Sequence, residues 1–182
     1  IPTAQVSPMP YSPAALQMLE QLGIPLNAVI ERHLQEFVEA SLLQWAETGQ
    51  DNRRHELVAV AAQAWRQLKA AAGAEGVTLY LVSAFRSVER QKSIIQRKLD
   101  KGQSIEQILA VSAPPFFSEH HTGRAVDIGT PGCTDLEPEF EATPAFRWLT
   151  RNAATYGFEL SYPPDNGAGY VYEPWHWRHV AS

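Results

Sequence analysis

The sequence predicts an α+β domain, in which a small and mainly antiparallel sheet is flanked by helices. Helical patterns fill most of the first two thirds of the chain, and short β-branched or aromatic runs come mostly late. Strands and helices do not alternate regularly, as they would around a parallel sheet. A chain of 182 residues is long enough to bury one core, so we expect a single domain.

The composition excludes several classes of protein. A net charge of −5 without any basic run argues against a nucleic-acid partner. No apolar stretch approaches the length of a membrane span. The single cysteine, Cys133, excludes an intrachain disulfide and a cysteine-rich zinc site. We therefore expect no nucleic-acid partner and no integral membrane segment in this chain. The sequence does not determine the oligomeric state, for which a monomer is favoured.

The first 13 residues contain four prolines, which indicates an extended tail or linker. Residues 14–182 are predicted to form the domain. Within it we distinguish an N-terminal helical segment, residues 14–50, from a core, residues 51–182, that contains the candidate catalytic residues.

The N-terminal segment is expected to contain two helices. The first covers residues 16–22 and is stopped by Gly23 and Pro25. The second is capped by Asn27 and runs from residue 28 to about residue 46. Its expected apolar face comprises Val29, Leu34, Phe37 and Leu42.

The core begins with a helix and a buried strand. Gly73 marks the expected end of the helix, and the β-branched run at residues 77–82 predicts the strand. This strand delivers residues 83–87 to its C-terminal end. The helix is indicated by the spacing of Leu57, Val60, Ala61, Ala64 and Leu68.

Serine and threonine residues predict three further helix starts. Ser87 caps a helix that reaches about Leu99, and Ser104 with Gln107 forms a capping box for a helix at residues 105–111. Thr143 followed by proline starts a helix that Gly157 ends. A loop is expected at residues 129–143, and short strands at residues 124–128, 158–161, 170–173 and 176–180.

Two clusters, residues 118–127 and 173–179, hold four of the six histidines. A catalytic zinc site needs three protein ligands and one open position. His120, Asp127 and His176 are the candidate ligands of a divalent metal, most simply zinc. Either neighbouring histidine, His121 or His179, remains an alternative ligand.

The same clusters offer a general base. Glu173 precedes His176 by three residues, and on a regular strand the two side chains would face opposite ways. A break at Pro174 is therefore required for Glu173 to act beside the metal. Arg86, after the buried strand, is the candidate donor to a developing negative charge, although a structural ion pair would also explain it.

The remaining candidates have simpler explanations. The acids of residues 135–141 are typical of a solvated loop rather than a calcium site. His33 and His55 are expected to be ordinary polar residues. Cys133 has no base nearby in sequence, so a thiol nucleophile is not expected.

Three ordered motifs carry a resemblance to the VanY-like D-alanyl-D-alanine carboxypeptidases, within the group that includes lysostaphin-type peptidases and the Hedgehog signalling domain. The pattern Ser-x-His-x-x-Gly-x-Ala-x-Asp is matched by residues 118–127. Glu-Pro-Trp-His, followed by an aromatic residue and Arg, is matched by residues 173–178. The third, Ser-x-aromatic-Arg-Ser with a later Gln, is matched by Ser83, Phe85, Arg86, Ser87 and Gln91.

The resemblance covers roughly residues 57–180 and implies a Hedgehog/D-Ala-D-Ala peptidase-like fold. It implies that His120, Asp127 and His176 bind Zn²⁺, that Glu173 is the catalytic base and that Arg86 stabilises the transition state. It further implies that the substrate pocket is lined by Ser118, Gln91 and Trp175.

The implied substrate is the D-alanine end of a peptidoglycan stem peptide, with D,D or L,D specificity left open. The implied location is outside the cytoplasmic membrane, in the periplasm or cell envelope, where the proline-rich segment would act as a tether or spacer. Two other functions remain: a peptidoglycan endopeptidase, or a non-catalytic metal-containing module that binds the cell wall. One departure is Ser161-Tyr162-Pro163, where the family often has Arg-Tyr-Pro.

Overall fold

The computed structural model describes residues 10–181. Residues 1–9 of the predicted tail lie outside this range. Tyr11 is already part of the fold, because its ring packs edge-on against Phe117 and its hydroxyl donates to the carbonyl of Leu34. The first helix begins at Pro13. The division of the domain near residue 50 stays a prediction.

The described chain forms six α-helices and six strands. The helices are α1 (Pro13–Leu22), α2 (Leu26–Ile30), α3 (Ala59–Ala74), α4 (Val88–Asp100), α5 (Ile105–Leu109) and α6 (Pro144–Asn152). The strands are β1 (Gln44–Thr48), β2 (Arg54–Leu57), β3 (Tyr80–Ser83), β4 (Ala125–Gly129), β5 (Phe158–Leu160) and β6 (His176–His179). Three 3₁₀ helices cover Glu119–Thr122, Pro138–Ala142 and Ala153–Tyr156.

The fold class is confirmed. Strands β3, β4, β6 and β5 form a four-stranded sheet in that order, and every pair in it is antiparallel. A separate hairpin pairs β1 with β2. Within residues 10–181, no helix combines the length and the hydropathy that a membrane span requires.

The predicted caps are confirmed where a side chain satisfies a free backbone N–H at a helix start. Ser87 accepts from the N–H of Arg90 at the start of α4. Ser104 and Gln107 form the complete capping box of α5. Thr143 caps α6, whose last turn continues as a 3₁₀ helix up to Gly157.

The predicted helix from residue 28 to about residue 46 is wrong. Helix α2 ends at Ile30, and the chain then runs irregularly to β1. The N–H groups of Phe37 and Ala40 donate to the carbonyls of Phe116 and His121, so distant loops satisfy this backbone instead of a helical turn. The predicted apolar face does not form as one surface either, since Val29 and Leu34 are buried but Leu42 is 85% exposed.

The predicted strand at residues 170–173 is also wrong. The N–H of Val171 donates to Ala110, whereas the N–H of Glu173 donates to Tyr162. Backbone hydrogen bonds to two separate segments do not form the regular ladder that defines a β-strand. Two other bounds shift: β3 begins at Tyr80, and Leu57 ends β2 rather than lying in a helix.

Two apolar clusters hold the fold together. The first packs α3 and α6 against the sheet and includes the fully buried Trp65 and Phe158. The second gathers α1, α2, α4 and α5 around Leu19 and Ile95. A cleft lined by residues of α4, β4 and β6 opens between these bodies, and it contains the predicted site.

Candidate metal centre

Two of the predicted ligands are cross-strand neighbours. Asp127 on β4 pairs directly with His176 on β6. Directly opposite side chains on an antiparallel pair lie close together, so the sheet register itself brings them into contact. His120 comes from the 3₁₀ helix just before β4. Gly123 ends that helix with φ of 68°, and a Cβ there would meet Val58 at 3.0 Å, so glycine is needed for this turn.

The three side chains converge on one point. His120 Nε2 lies 3.2 Å from Asp127 Oδ2, and His176 Nδ1 lies 2.9 Å from Asp127 Oδ1. One ligand atom from each residue lies within 4.8 Å of the others, and all three residues are buried. The structure therefore brings together the ligand set that the sequence analysis favours.

The far nitrogen of each imidazole is also fixed. His120 Nδ1 lies 2.7 Å from the carbonyl oxygen of Ala84, to which it must donate. His176 Nε2 lies 2.8 Å from Glu119 Oε2. These bonds leave His120 Nε2 and His176 Nδ1 to face the carboxylate of Asp127. Two nitrogens and one oxygen, oriented by outer hydrogen bonds, fit a divalent cation such as zinc.

The carboxylate of Glu119 is held from three directions. Besides His176, it accepts from Ser161 Oγ at 2.7 Å and from Arg178 Nη1 at 3.2 Å. Burial alone would raise the pKa of Glu119, but the bonds with His176 and Ser161 and the charge of Arg178 lower it overall. Glu119 therefore stays a carboxylate and orients the His176 ring.

Sequence reasoning assigned no role to Glu119. Its only local signal is its position next to His120, because its three partners lie 42 to 59 residues further along the chain. Tyr162 was also missed. Its ring stacks on His176 with centroids 4.8 Å apart.

The turn that the base requires is present. The N–H of His176 donates to the carbonyl of Glu173 across Pro174, and this turn brings both side chains to the same cleft. Glu173 Oε2 lies 3.9 Å from His176 Nδ1. Burial raises the pKa of Glu173 to about 7, although His176 acts in the opposite direction.

The pKa values within the cluster reflect mutual stabilisation. Burial would raise the pKa of Asp127, but the two imidazoles hold it well below its usual range. Burial would lower the pKa of His176, but Asp127 and Glu119 raise it to about 10. Burial lowers the pKa of His120. The cluster is thus built around a fixed negative charge on Asp127.

Arg86 reaches the cluster from the loop after β3. Its Nη2 lies 3.7 Å from Asp127 Oδ2 and donates to Ser83 Oγ at 3.0 Å. Its Nη1 donates to Gln91 Oε1 at 2.7 Å. Arg86 is therefore fixed in the cleft wall, whichever of its two predicted roles it has.

The three predicted pocket residues all line the cleft, which has a volume of about 490 Å³. The Oγ of Ser118 already accepts from the N–H of His120. The amide of Gln91 is shared between Arg86 and the carbonyl of Ala113. Gln91 thus positions Arg86, and Trp175 contributes cleft wall. Their substrate contacts stay predictions.

The alternative ligands lie elsewhere. His121 Nε2 accepts from the N–H of Phe116, and its Nδ1 donates to the carbonyl of Arg86, so both nitrogens are occupied by backbone. His179 packs against Phe158, and its Nδ1 lies 3.3 Å from Arg124 Nη1. Neither residue lines the cleft.

A buried His, Asp and His set, with a carboxylate and an arginine in one open cleft, is an arrangement typical of metal-dependent hydrolases. The family model VanY, D-alanyl-D-alanine carboxypeptidase, matches residues 54–182. The chain belongs to this family.

Curated relatives agree with this membership. The chain is 38% identical over 126 residues to YodJ of Bacillus subtilis (strain 168), a match that covers 67% of this chain and 45% of that protein. It is 37% identical over 120 residues to a D-alanyl-D-alanine carboxypeptidase of Enterococcus faecalis (strain ATCC 700802 / V583), covering 60% of this chain and 43% of that protein. The chain therefore spans less than half the length of these two relatives.

Solved structures confirm the predicted fold. The LdcB LD-carboxypeptidase superposes with a TM-score of 0.65 and 32% identity, over 80% of this chain and 67% of that one. A mutant of the vancomycin resistance D,D-pentapeptidase VanY, in complex with Zn(II), gives a TM-score of 0.60 and 31% identity over 81% of each chain. A zinc-bound relative and the His, Asp and His cluster together support the predicted cofactor.

Proposed function

We propose that this protein is a zinc-dependent carboxypeptidase that removes the C-terminal D-alanine from stem peptides of bacterial peptidoglycan. The observation that carries the proposal is the convergence of His120, Asp127 and His176 beside Glu173 and Arg86 in one cleft of a VanY family member. Because its substrate lies in the cell wall, we further propose that the protein acts outside the cytoplasmic membrane, as a monomer.

The residues of the chain divide the hydrolysis between them. Glu173 accepts a proton from water as the water oxygen attacks the scissile carbonyl carbon. It then delivers that proton to the leaving amine nitrogen as the C–N bond breaks. A pKa of about 7 suits a group that must accept and donate in one cycle.

Arg86 supplies N–H donors where negative charge develops on the carbonyl oxygen. Its bonds to Ser83 and Gln91 fix the guanidinium before substrate arrives, so little reorganisation is needed. A divalent cation, when bound, polarises the carbonyl and lowers the pKa of water. Tyr162, stacked on His176, shields one face of that imidazole from water.

Mass spectrometry of defined stem peptides tests this proposal. The zinc-loaded protein is incubated with a pentapeptide ending in D-Ala-D-Ala, a tetrapeptide ending in one D-Ala, and a matched tetrapeptide ending in L-Ala. We expect loss of one alanine from a D-alanine peptide, abolished by a chelator and restored by zinc.

The pattern of products decides the specificity, since solved relatives include both D,D and L,D enzymes. Cleavage of the pentapeptide alone indicates D,D specificity, and cleavage of the tetrapeptide alone indicates L,D specificity. Equal cleavage of the L-alanine peptide, or no cleavage of any peptide with zinc supplied, would overturn the proposal.

A further inference from the structure

One wall of the cleft is a single face of α4. Gln91, Ile94 and Lys98 line the cleft at the spacing i, i+3 and i+7, which places them along one side of a helix. Gln91 contacts Arg86 at the end nearest the metal cluster. Lys98 lies two turns further along, about 10 Å by the rise of the helix. The wall thus carries a second cation beyond Arg86.

Among the residues that the structure describes, Lys98 has no anionic partner. Its Nζ donates to the neutral hydroxyl of Ser112 at 2.7 Å, and no carboxylate of residues 10–181 lies within 4 Å of it. Arg86, by contrast, lies near Asp127 and donates to two side chains. Lys98 is therefore the uncommitted cation of the cleft.

The surroundings of Lys98 favour the arrival of an anion. Burial lowers the pKa of its ammonium, and the nearby charge of Arg86 lowers it further, while Glu173 acts in the opposite direction. The apolar side chains of Ile94 and Val111 line the same cleft. A charge that is partly desolvated and unpaired gains more from an incoming carboxylate than a solvated surface lysine does.

We propose that Lys98, supported by Ser112, binds the free C-terminal carboxylate of the substrate peptide and so confers the preference for the terminal residue. This inference rests on the proposed function. The carboxylate is the one fixed charge that every C-terminal substrate carries beside its last peptide bond, and an internal bond offers none. Lys98 is thus a determinant of specificity that acts by charge, apart from the groups at the metal cluster.

The test compares two peptides and two proteins. The cleaved D-alanine peptide and the same peptide with a C-terminal amide are given to the zinc-loaded wild type and to Lys98→Met. Wild type should prefer the free acid by about 10- to 100-fold in kcat/KM, as expected for a hydrogen bond between charged groups. Lys98→Met should lose this preference through a raised KM for the acid, with its kcat/KM for the amide within about threefold of wild type.

Matched variants separate charge from structure. Lys101→Met removes the same side chain from an exposed position just after α4 and should retain the preference. Lys98→Arg should restore most of it. Retention of the wild-type preference by Lys98→Met would overturn the inference.

Equilibrium binding keeps this inference distinct from the proposed function. Calorimetry gives the Kd of both peptides for the zinc-loaded Glu173→Gln variant, which should bind the peptides without cleaving them, and for the same variant carrying Lys98→Met. If wild type cleaves neither peptide, the proposed function fails, but tighter binding of the acid that disappears in Lys98→Met would still support the role of Lys98. Equal Kd values for acid and amide in the variant that retains Lys98 would overturn it.

Discussion

The two sides of the His176 ring carry carboxylates with opposite properties. On the Nε2 side, Glu119 is tied to His176, Ser161 and Arg178, and these bonds lower its pKa. On the Nδ1 side, Glu173 lies 3.9 Å away, and burial raises its pKa to about 7. Both residues are buried to a similar degree, so burial does not explain the difference.

The difference lies in the number of hydrogen-bond donors that each carboxylate receives. Three donors keep Glu119 ionised and immobile, which suits a group that orients a metal ligand. Within residues 10–181, the carboxylate of Glu173 receives no comparable hydrogen bonds, so it can exchange a proton near neutral pH, which suits a general base. We infer that Glu119 and Glu173, on opposite sides of the His176 ring, have a structural and a catalytic role respectively.

The largest expected effect comes from Glu173→Gln. Removing the proton acceptor while keeping the shape should lower kcat by about 10³-fold, within the range expected for loss of a general base. Zinc content, measured by atomic absorption after dialysis, should stay at the wild-type level. Substantial residual activity would remove Glu173 from its assigned role.

Glu119→Gln should weaken zinc binding and leave the chemistry intact, which is the opposite of what is expected for Glu173→Gln. Loss of the charged partner of His176 should weaken zinc affinity by about 10- to 100-fold. The kcat of this variant should return towards the wild-type value when the zinc concentration is raised. The measurement is a competition titration with a chromophoric chelator.

Glu159→Gln is the matched control for Glu119→Gln. Glu159 lies on β5, 3.8 Å from the same Arg178, but it is exposed and does not contact His176. Its replacement should leave zinc affinity unchanged. If both variants weaken zinc equally, the effect belongs to Arg178 and not to the bond between Glu119 and His176.

The raised pKa of Glu173 predicts a pH-dependent stability of the zinc-free protein. The pKa of Glu173 is about 7 in the folded protein against its ordinary value of 4.5, so the wild type loses stability as pH rises from about 4.5 to about 7. Glu173→Gln lacks this loss. From pH 4 to pH 8, the unfolding free energy of Glu173→Gln should therefore rise relative to that of the wild type by about 1–3 kcal/mol.

Urea denaturation at both pH values, with a chelator present, measures this gain. Glu159→Gln should track the wild type, since its carboxylate is exposed. A constant difference between wild type and Glu173→Gln across the range would contradict a raised pKa for Glu173.

Ser161→Ala should give the smallest effect. It removes one of the bonds that hold Glu119, worth about 0.5–1.5 kcal/mol, so zinc affinity should fall by about two- to tenfold. The same chelator competition detects this change. A loss as large as that of Glu119→Gln would mean that Ser161, rather than the carboxylate, orients His176.

The parts of the fold that were predictable depend on local chemistry. Ser87 and Thr143 cap their helices through bonds three residues away, and such bonds can be recognised in a sequence. The metal ligands were found because histidine and aspartate in family motifs carry a specific chemical signal. The turn at Pro174 followed from the requirement that Glu173 and His176 face the same way.

The parts that were not predictable depend on distant partners. The segment after α2 satisfies its backbone hydrogen bonds through Phe116 and His121, about 80 residues further along the chain, so its own sequence suggests a helix that it does not form. The role of Glu119 arises only when β6 brings His176 and Arg178 beside it. Nothing in the local sequence distinguishes Lys98 from other lysines, because its position in the cleft depends on how α4 packs.

A crystal structure of the zinc-loaded protein, with anomalous diffraction recorded at the zinc edge, tests the central claim most directly. We predict one zinc ion bound by His120 Nε2, Asp127 and His176 Nδ1, with zinc–nitrogen distances of about 2.0–2.1 Å. Glu119 should remain on His176 Nε2, and Glu173 should face the open coordination position without binding the metal. A zinc ion ligated by His121, Glu119 or Glu173, or one bound outside this cleft, would contradict the account.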